Sequence, residues 1–441
     1  MRVGFGKVAI TPPLGISLAG FGARTSPARG VHDDLFTRAV VLDDGRTRSG
    51  LLVCDLCEID AAFVAAVRDR VETAVGIAPD QLIVAATHTH AAPATFPLYS
   101  EPPDPRWLRG LADRVAGAVV AAVEDAGPAT LSFGSGREET VARNRRRPDG
   151  PVDPTVSVVR ADRSAGPAVL LVHYACHPTV LGPDNLLISR DFVGFAVDAV
   201  ERATGGRAAF VNGACGDVNV GHSADRSALG LPLPGRTFER AEALGLRIAA
   251  AAVRASQDTR LLAPAAGKHA TALAAARRAI NVPLRATPPA AAARAHVEKR
   301  RQDLRRATAA GADPDVIAGA QLEVLYAEMA LRWAEERPAA ETERAEIQAL
   351  AIGDLALVAL PGEFFAESGL RLKAMSPFPQ TLVVGYAGGG IGYVPPREAF
   401  AEGGYETRLA HWSRVAPETE SLVLAAAAGL LEDLKRRQDA V

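Results

Sequence analysis

Histidine is scarce in this chain, nine among 441 residues, yet two histidines stand one residue apart where an apolar run stops, in Val84-Ala85-Ala86-Thr87-His88-Thr89-His90-Ala91-Ala92-Pro93. Side chains at i and i+2 leave the same face of a strand, so an extended chain would present both imidazoles side by side. Neutral imidazole, carboxylate and occasionally phenolate are what a catalytic zinc takes, three or four of them with one position left open. Residues of those types also stand where other apolar runs end: His177 in Ala175-Cys176-His177-Pro178, Glu363 in Pro361-Gly362-Glu363-Phe364 and Tyr393 in Gly392-Tyr393-Val394. His88, His90, His177, Glu363 and Tyr393 are therefore the candidate ligands, although no pair has the tight spacing of a motif such as HExxH. His173, inside an apolar run, reads as a satisfied core histidine.

The elements that must position these residues alternate. Residues 38–42 and 50–54 read as strands around the turn Asp43-Asp44-Gly45-Arg46. A helix follows, with Phe63, Val64, Val67 and Val71 on one face and Asp60 placed to cap it. Residues 81–86 form the strand that delivers the two histidines, and 107–125 repeat the helical pattern. Strands are expected again at 168–174, 208–211, 347–360 and 381–386, and a helix at 418–436. Ligand and catalytic groups of open α/β sheets gather at the carboxyl ends of strands. Between about 273 and 344 the composition shifts to Ala, Arg, Glu and Gln, which predicts a helical-hairpin insertion with arms at 297–310 and 316–337. The fold class expected is α/β, a layered α/β/α sandwich around a mixed sheet.

Composition narrows the function classes. With 48% apolar residues the chain can bury a large core, and a formal charge of −2 with no long basic tract gives no sign of a nucleic-acid partner. Cys54, Cys57, Cys176 and Cys215 are too few for a disulfide framework, and Cys54-Asp55-Leu56-Cys57 reads as plain buried thiols. The amino terminus has no signal-like apolar region and no run reaches the ~18 apolar residues of a spanning helix. The expectation is a cytoplasmic protein without a transmembrane segment.

Several motifs in order then resemble one family. Gly6-Lys7-Val8-Ala9-Ile10-Thr11-Pro12, Gly30-Val31-His32-Asp33, Thr87-His88-Thr89-His90, Asn144-Arg145, Tyr174-Ala175-Cys176-His177, the loop from Gly213 to Asn219, Pro361-Gly362-Glu363-Phe364, Gly392-Tyr393-Val394 and Tyr405-Glu406 are similar to the amino-terminal catalytic domain of the neutral/alkaline (non-lysosomal) ceramidases, zinc amidases that cleave the N-acyl bond of ceramide. The resemblance implies one Zn2+ ion held by His88, His177, Glu363 and Tyr393. It also implies that His90 and Arg145 face the polar head of the substrate, and that Tyr405 is a second active-site tyrosine. Arg146 and Arg147 read as a solvated face, and Asp33 and Asp191 as partners that orient ligand histidines, with an ordinary helix N-cap as the other reading of Asp191.

Two departures bear on mechanism and substrate. Where the family's Gly-Asp-Val loop continues with a catalytic serine, Gly216-Asp217-Val218 is followed here by Asn219. Metal-activated water then becomes the expected nucleophile, with Asn219 or the loop amides holding the oxyanion, and Cys215 is the alternative. The family's immunoglobulin-like carboxy-terminal domain has no counterpart in this sequence, so a single catalytic domain over 1–441 is expected. The function expected is a metal-dependent hydrolase of a small-molecule N-acyl amide. Another amide or ester, cyclisation of a small metabolite, or a non-catalytic metal-bearing binding protein remain as alternatives.

Overall fold

Alternation along the central strands explains why they are buried on both sides. In Phe36–Asp43, Arg48–Cys54 and Leu82–Ala86, residues Val41, Leu52 and Val84 point into one core, while Val40, Leu51 and Ile83 point into another. In the computed structural model, which describes residues 1–98, 103–263 and 271–440, these three strands end an eight-strand path. Its spatial order is Arg207–Asn212, Val169–Tyr174, Thr155–Arg163, Gly127–Arg137, Arg2–Ala9, then the three. The outermost pair at each end is parallel and the pairings between them are antiparallel, so the sheet is mixed.

Helices Ala61–Val75, Pro105–Asp125, Asp191–Thr204 and Phe238–Gln257 cover the first face. Asp60 caps the first of them, accepting from the Phe63 amide, and Phe63, Val64, Val67 and Val71 are its buried stripe, as the periodicity indicates. A second sheet, Leu273–Pro283, Thr342–Ile352, Leu355–Ala359 and Gln380–Val384, packs on the other face through Leu350, Ile352, Leu357 and Leu382. Its far side, with Ile347, Val358 and Val383, is closed by helices Ala366–Met375 and Thr419–Ala440. The α/β class and the mixed sheet stand as expected, with this second sheet added between the main sheet and the outer helices.

Within 273–344, where a helical hairpin is expected with arms at 297–310 and 316–337, the helices are Ala290–Ala309 and Pro314–Glu336. Leu273–Pro283 and Thr342–Ile352 are instead antiparallel strands paired along eleven residues each. Alanine content made the first look helical, but its partner strand and the helix Thr419–Ala440 packed against it decide the conformation. Among the described residues no helix is long and apolar enough to cross a membrane.

What positions the site is the way the two edges of the main sheet meet. The Asn212 amide, at the end of one edge strand, donates to the carbonyls of Thr87 and Cys176 at 3.2 Å. The chain leaving Gln380–Val384 then bonds to both edges. The Gly385 amide donates to the Asn212 carbonyl at 3.0 Å, the Ala86 amide donates to the Tyr386 carbonyl at 3.0 Å, and the Gly388 amide to the Val84 carbonyl at 3.0 Å. Only glycine fits at 385, because a Cβ there would lie 2.6 Å from the Gly213 carbonyl oxygen.

Candidate active site and metal centre

Three strands from two sheets deliver the donors. His88 follows Leu82–Ala86, His177 follows Val169–Tyr174, and Glu363 follows Leu355–Ala359. The chain does not stay extended through Thr87-His88-Thr89-His90. Instead His88 has φ 67°, a left-handed conformation rare for a residue with a Cβ. The turn still brings the imidazoles of His88 and His90 together, with centroids 4.7 Å apart and planes at 81°. Tyr386, with φ 55°, lies parallel to His88 at 3.9 Å, so two strained residues are stacked beside the donors.

Backbone carbonyls fix both histidine tautomers. His88 Nδ1 donates to the Cys57 carbonyl at 2.6 Å, and His177 Nδ1 donates to the Cys215 carbonyl at 2.6 Å. The Nε2 lone pairs are thus turned inward, where Glu363 Oε2 stands 2.9 Å from His177 Nε2 and 3.4 Å from His88 Nε2. One donor atom from each of the three residues lies within 4.8 Å of the other two. Burial, with the Arg145 charge adding to it, pushes the His177 imidazole down to about 4, so it is neutral near pH 7. Two lone pairs and a carboxylate facing one another are a set that only a proton or a cation reconciles. The donor types and spacing suit a divalent ion such as zinc.

The other sequence candidates surround this cluster. His90 Nε2 stands 3.1 Å from His88 Nε2, and its buried Nδ1 has no hydrogen-bond partner among the described residues. Burial, reinforced by His88 and His177, holds its imidazole well below the usual range. Tyr393 pairs in parallel register with Glu363, and its hydroxyl accepts from Arg145 Nη2 at 2.9 Å. Burial pushes this phenol up while the Arg145 charge opposes the shift. Arg145 is itself sealed in, donating through Nε to Glu406 Oε1 at 2.7 Å and through Nη2 to the Gly216 carbonyl at 2.7 Å. Tyr405 meets Tyr393 edge to face at 5.9 Å. Asn219 borders the same space, but its side chain is tied into its own loop. Oδ1 accepts from the amides of Gly221 and His222, and Nδ2 donates to the His222 carbonyl at 2.8 Å. One amide hydrogen is left over, so Asn219 is a loop brace first.

Other residues take structural parts. His173 donates to the Val383 carbonyl at 2.8 Å and joins the two sheets, as a core histidine should. Asp33 holds Ser189 and Arg190, and Asp191 accepts from the amides of Leu181 and Phe192, so neither orients a ligand histidine. Arg146 is drawn inward by Glu406 at 2.8 Å, whereas Arg147 remains largely in water. All four cysteines are free and buried, and burial raises each thiol. A raised pKa argues against Cys215 as a nucleophile.

Sequence reasoning missed Tyr386, Glu406 and Glu58. Tyr386 ends an apolar strand, the same signal that marked the histidines, and its hydroxyl is 3.1 Å from Cys215 Sγ. Glu406, next to Tyr405, carries no local signal of its own, although it anchors both Arg145 and Arg146. Glu58 is a fully buried carboxyl pushed up by burial and by Glu363, and one of its oxygens has no hydrogen-bond partner among the described residues.

Known proteins fit this arrangement. The family model for the amino-terminal part of neutral/alkaline non-lysosomal ceramidases matches residues 1–226. The neutral ceramidase of Mycobacterium tuberculosis is 28% identical over 232 residues, which is 47% of this chain and 36% of that protein. The match thus spans about a third of that relative's length. The crystal structure of neutral ceramidase from Pseudomonas aeruginosa superposes with a TM-score of 0.75 at 21% identity, covering 99% of this chain and 74% of that one. A ceramidase complexed with C2 gives 0.73 at 19% identity, covering 99% and 75%. Sequence and fold together place this chain in the neutral/alkaline non-lysosomal ceramidase family.

Proposed function

We propose that this protein is a zinc-dependent amidohydrolase that cleaves a linear, ceramide-like N-acyl amide and uses water, not a side chain, as the nucleophile. The observation that carries this reading is the pair of Nδ1–H···O=C bonds at His88 and His177, which aims two imidazole lone pairs at the Glu363 carboxylate. Those three residues, with Tyr393, would hold the ion. The chemistry a zinc ion supplies in such a site is Lewis acidity toward a carbonyl oxygen and acidification of water.

The chain's own residues do the remaining work. His90, neutral and with its Nε2 3.1 Å from His88 Nε2, stands beside the proposed ion, where it would pass a proton to the leaving amine. Arg145, clamped by Glu406, keeps a positive charge beside the Tyr393 oxygen and so favours its anionic form. Tyr405 forms part of the far wall. Asn219 fixes the loop whose other residues hold His177, which explains how the site keeps its shape without the family's serine.

The test measures bound zinc and chelator-sensitive release of free amine from N-acyl compounds, for the wild type and for His88→Ala and His177→Ala. Both variants should lose the metal and the turnover together. Full zinc retention in both would sink the assignment.

A further inference from the structure

Tyr386 reaches each of the three donor residues through a different group. Its ring lies on the His88 imidazole, centroids 3.9 Å apart and planes 15° from parallel. Its hydroxyl stands 3.1 Å from Cys215 Sγ, and the carbonyl of that same cysteine accepts from His177 Nδ1. Its amide donates at 3.4 Å to the carbonyl of Gly362, the residue before Glu363. The Tyr386 carbonyl in turn accepts from Ala86, at the end of the strand that leads to His88. At 1% exposure, with its hydroxyl directed at a buried thiol, Tyr386 does not touch a substrate.

The direction of the hydroxyl bond follows from its neighbours. Cys215 Sγ donates to Asn212 Oδ1 at 3.4 Å, so the sulfur is left to accept and Tyr386 to donate. Asn212 Nδ2 holds the carbonyls of Thr87 and Cys176, the residues before His88 and His177. A run of hydrogen bonds from Tyr386 through Cys215 to Asn212 thus passes behind the donors, and the stack on His88 closes it. Packing alone does not account for tyrosine here, because phenylalanine would fill the same space with no buried hydroxyl to satisfy and thiol sulfur is a weak acceptor. Nor does the backbone, since at φ 55° glycine or asparagine would cost less. What tyrosine adds over all of these is both the ring face against His88 and the bond to the Cys215 loop. A ligand imidazole shares the charge of its ion, and an aromatic face attracts such charge within about 6 Å.

We infer that Tyr386 is the positioning residue of the metal centre, holding His88, His177 and Glu363 within the 4.8 Å over which one divalent ion can take all three. This inference rests on the metal-dependent reading above and names the residue that sets the geometry of its donors. Tyr386 acts through its neighbours, so its removal is read in the affinity and geometry of the ion before it is read in turnover. Groups that orient ligand histidines change metal affinity by about ten- to a hundredfold.

The experiment compares the zinc-free full chain with Tyr386→Phe, which keeps the ring and loses the hydroxyl, and Tyr386→Leu, which loses both. Phe192→Leu, in the core beside Phe210, is the control for lost aromatic packing away from the donors. Zinc affinity is read by competition with a chromophoric chelator, stability of the zinc-free protein by urea unfolding, and donor geometry by the visible bands of the Co2+ form. Tyr386→Phe should weaken zinc about tenfold and Tyr386→Leu about a hundredfold, with altered Co2+ bands in both. Phe192→Leu should lower stability and leave zinc affinity and the bands as in wild type. Zinc affinity of Tyr386→Phe within about twofold of wild type overturns the inference and leaves the metal centre standing. A loss of affinity in Phe192→Leu equal to that in the Tyr386 variants also overturns it, because general loosening would then account for both. A wild type that binds no zinc removes the metal-dependent reading and this inference with it. If Tyr386→Leu does not fold, Tyr386→Phe decides alone.

Discussion

Glu406 ties two arginines to the site, and neutralising it separates their effects. Its Oε1 accepts from Arg145 Nε at 2.7 Å and its Oε2 from Arg146 Nη1 at 2.8 Å, with the three side chains 2%, 5% and 10% exposed. Despite its burial, the two guanidinium groups hold this carboxyl below the usual range, so it is ionised. In Glu406→Gln the shape is kept, but an amide NH2 group faces one of the guanidinium groups. Removing one partner of a buried ion pair costs ~3–5 kcal/mol because the surviving charge stays buried. The carboxamide oxygen keeps one of the two hydrogen bonds, so the expected loss is at the lower end, about 3 kcal/mol. Urea unfolding of the metal-loaded protein reads it directly. Zinc should stay bound through His88, His177 and Glu363, which Glu406 does not touch, with a weaker hold from Tyr393, while kcat/KM should fall by roughly a hundredfold as Arg145 leaves the Tyr393 hydroxyl. A loss under about 1 kcal/mol with normal turnover would refute the claim that Arg145 is held in place from behind. A double-mutant cycle with Arg146→Met adds a second check, because a coupling near zero would mean that Glu406 and Arg146 act independently.

Three further outcomes follow from the geometry. Gly385→Ala puts a methyl group 2.6 Å from the Gly213 carbonyl oxygen, at the stitch between the sheet edges; it should cost ~1–3 kcal/mol and weaken zinc binding, and a stable variant with unchanged metal affinity would show that the stitch is not needed. Cys215→Ser should keep amide cleavage within about threefold, since its raised thiol pKa makes it a poor nucleophile; complete loss of turnover with zinc still bound would reinstate the thiol. The third concerns pH. Asp153 is buried, but its ion pair with Lys373 holds its carboxyl below the ordinary 3.8. A depressed folded-state pKa contributes stability that is present above 3.8 and lost as pH falls below it toward the folded value. Asp153→Asn should therefore be less stable than wild type at pH 6, with the gap closing below pH 4, and a gap independent of pH would assign the effect to packing alone.

The legible part of this protein was the part written in local pattern. Apolar runs of five or six residues ending in His, Gly or Asn located the strands before His88, His177 and Gly213, because a strand buried on both faces must be apolar throughout and must stop where its chain turns polar. Leu273–Pro283 failed that test, since alanine and arginine favour helix locally and only the partner strand 342–352 overrules them. Glu406 was invisible for a different reason. Its value lies in Arg145, 261 residues away in sequence, and no local pattern encodes such a pairing.

The same long-range logic governs when the site can exist. His88 follows one edge strand of the main sheet, His177 follows the strand next to the opposite edge, and Glu363 comes from the second sheet. Asn212 joins the loops of His88 and His177 through the Thr87 and Cys176 carbonyls, but until the second sheet docks nothing brings Glu363 to them. An ion bound by all three residues would bind the docked state and not its separated parts, and so stabilise the docking by mass action. Zinc should then raise the unfolding midpoint of the wild type and leave that of His88→Ala nearly unmoved. If both rise equally, the ion binds elsewhere, and the convergence of His88, His177 and Glu363 has some other cause.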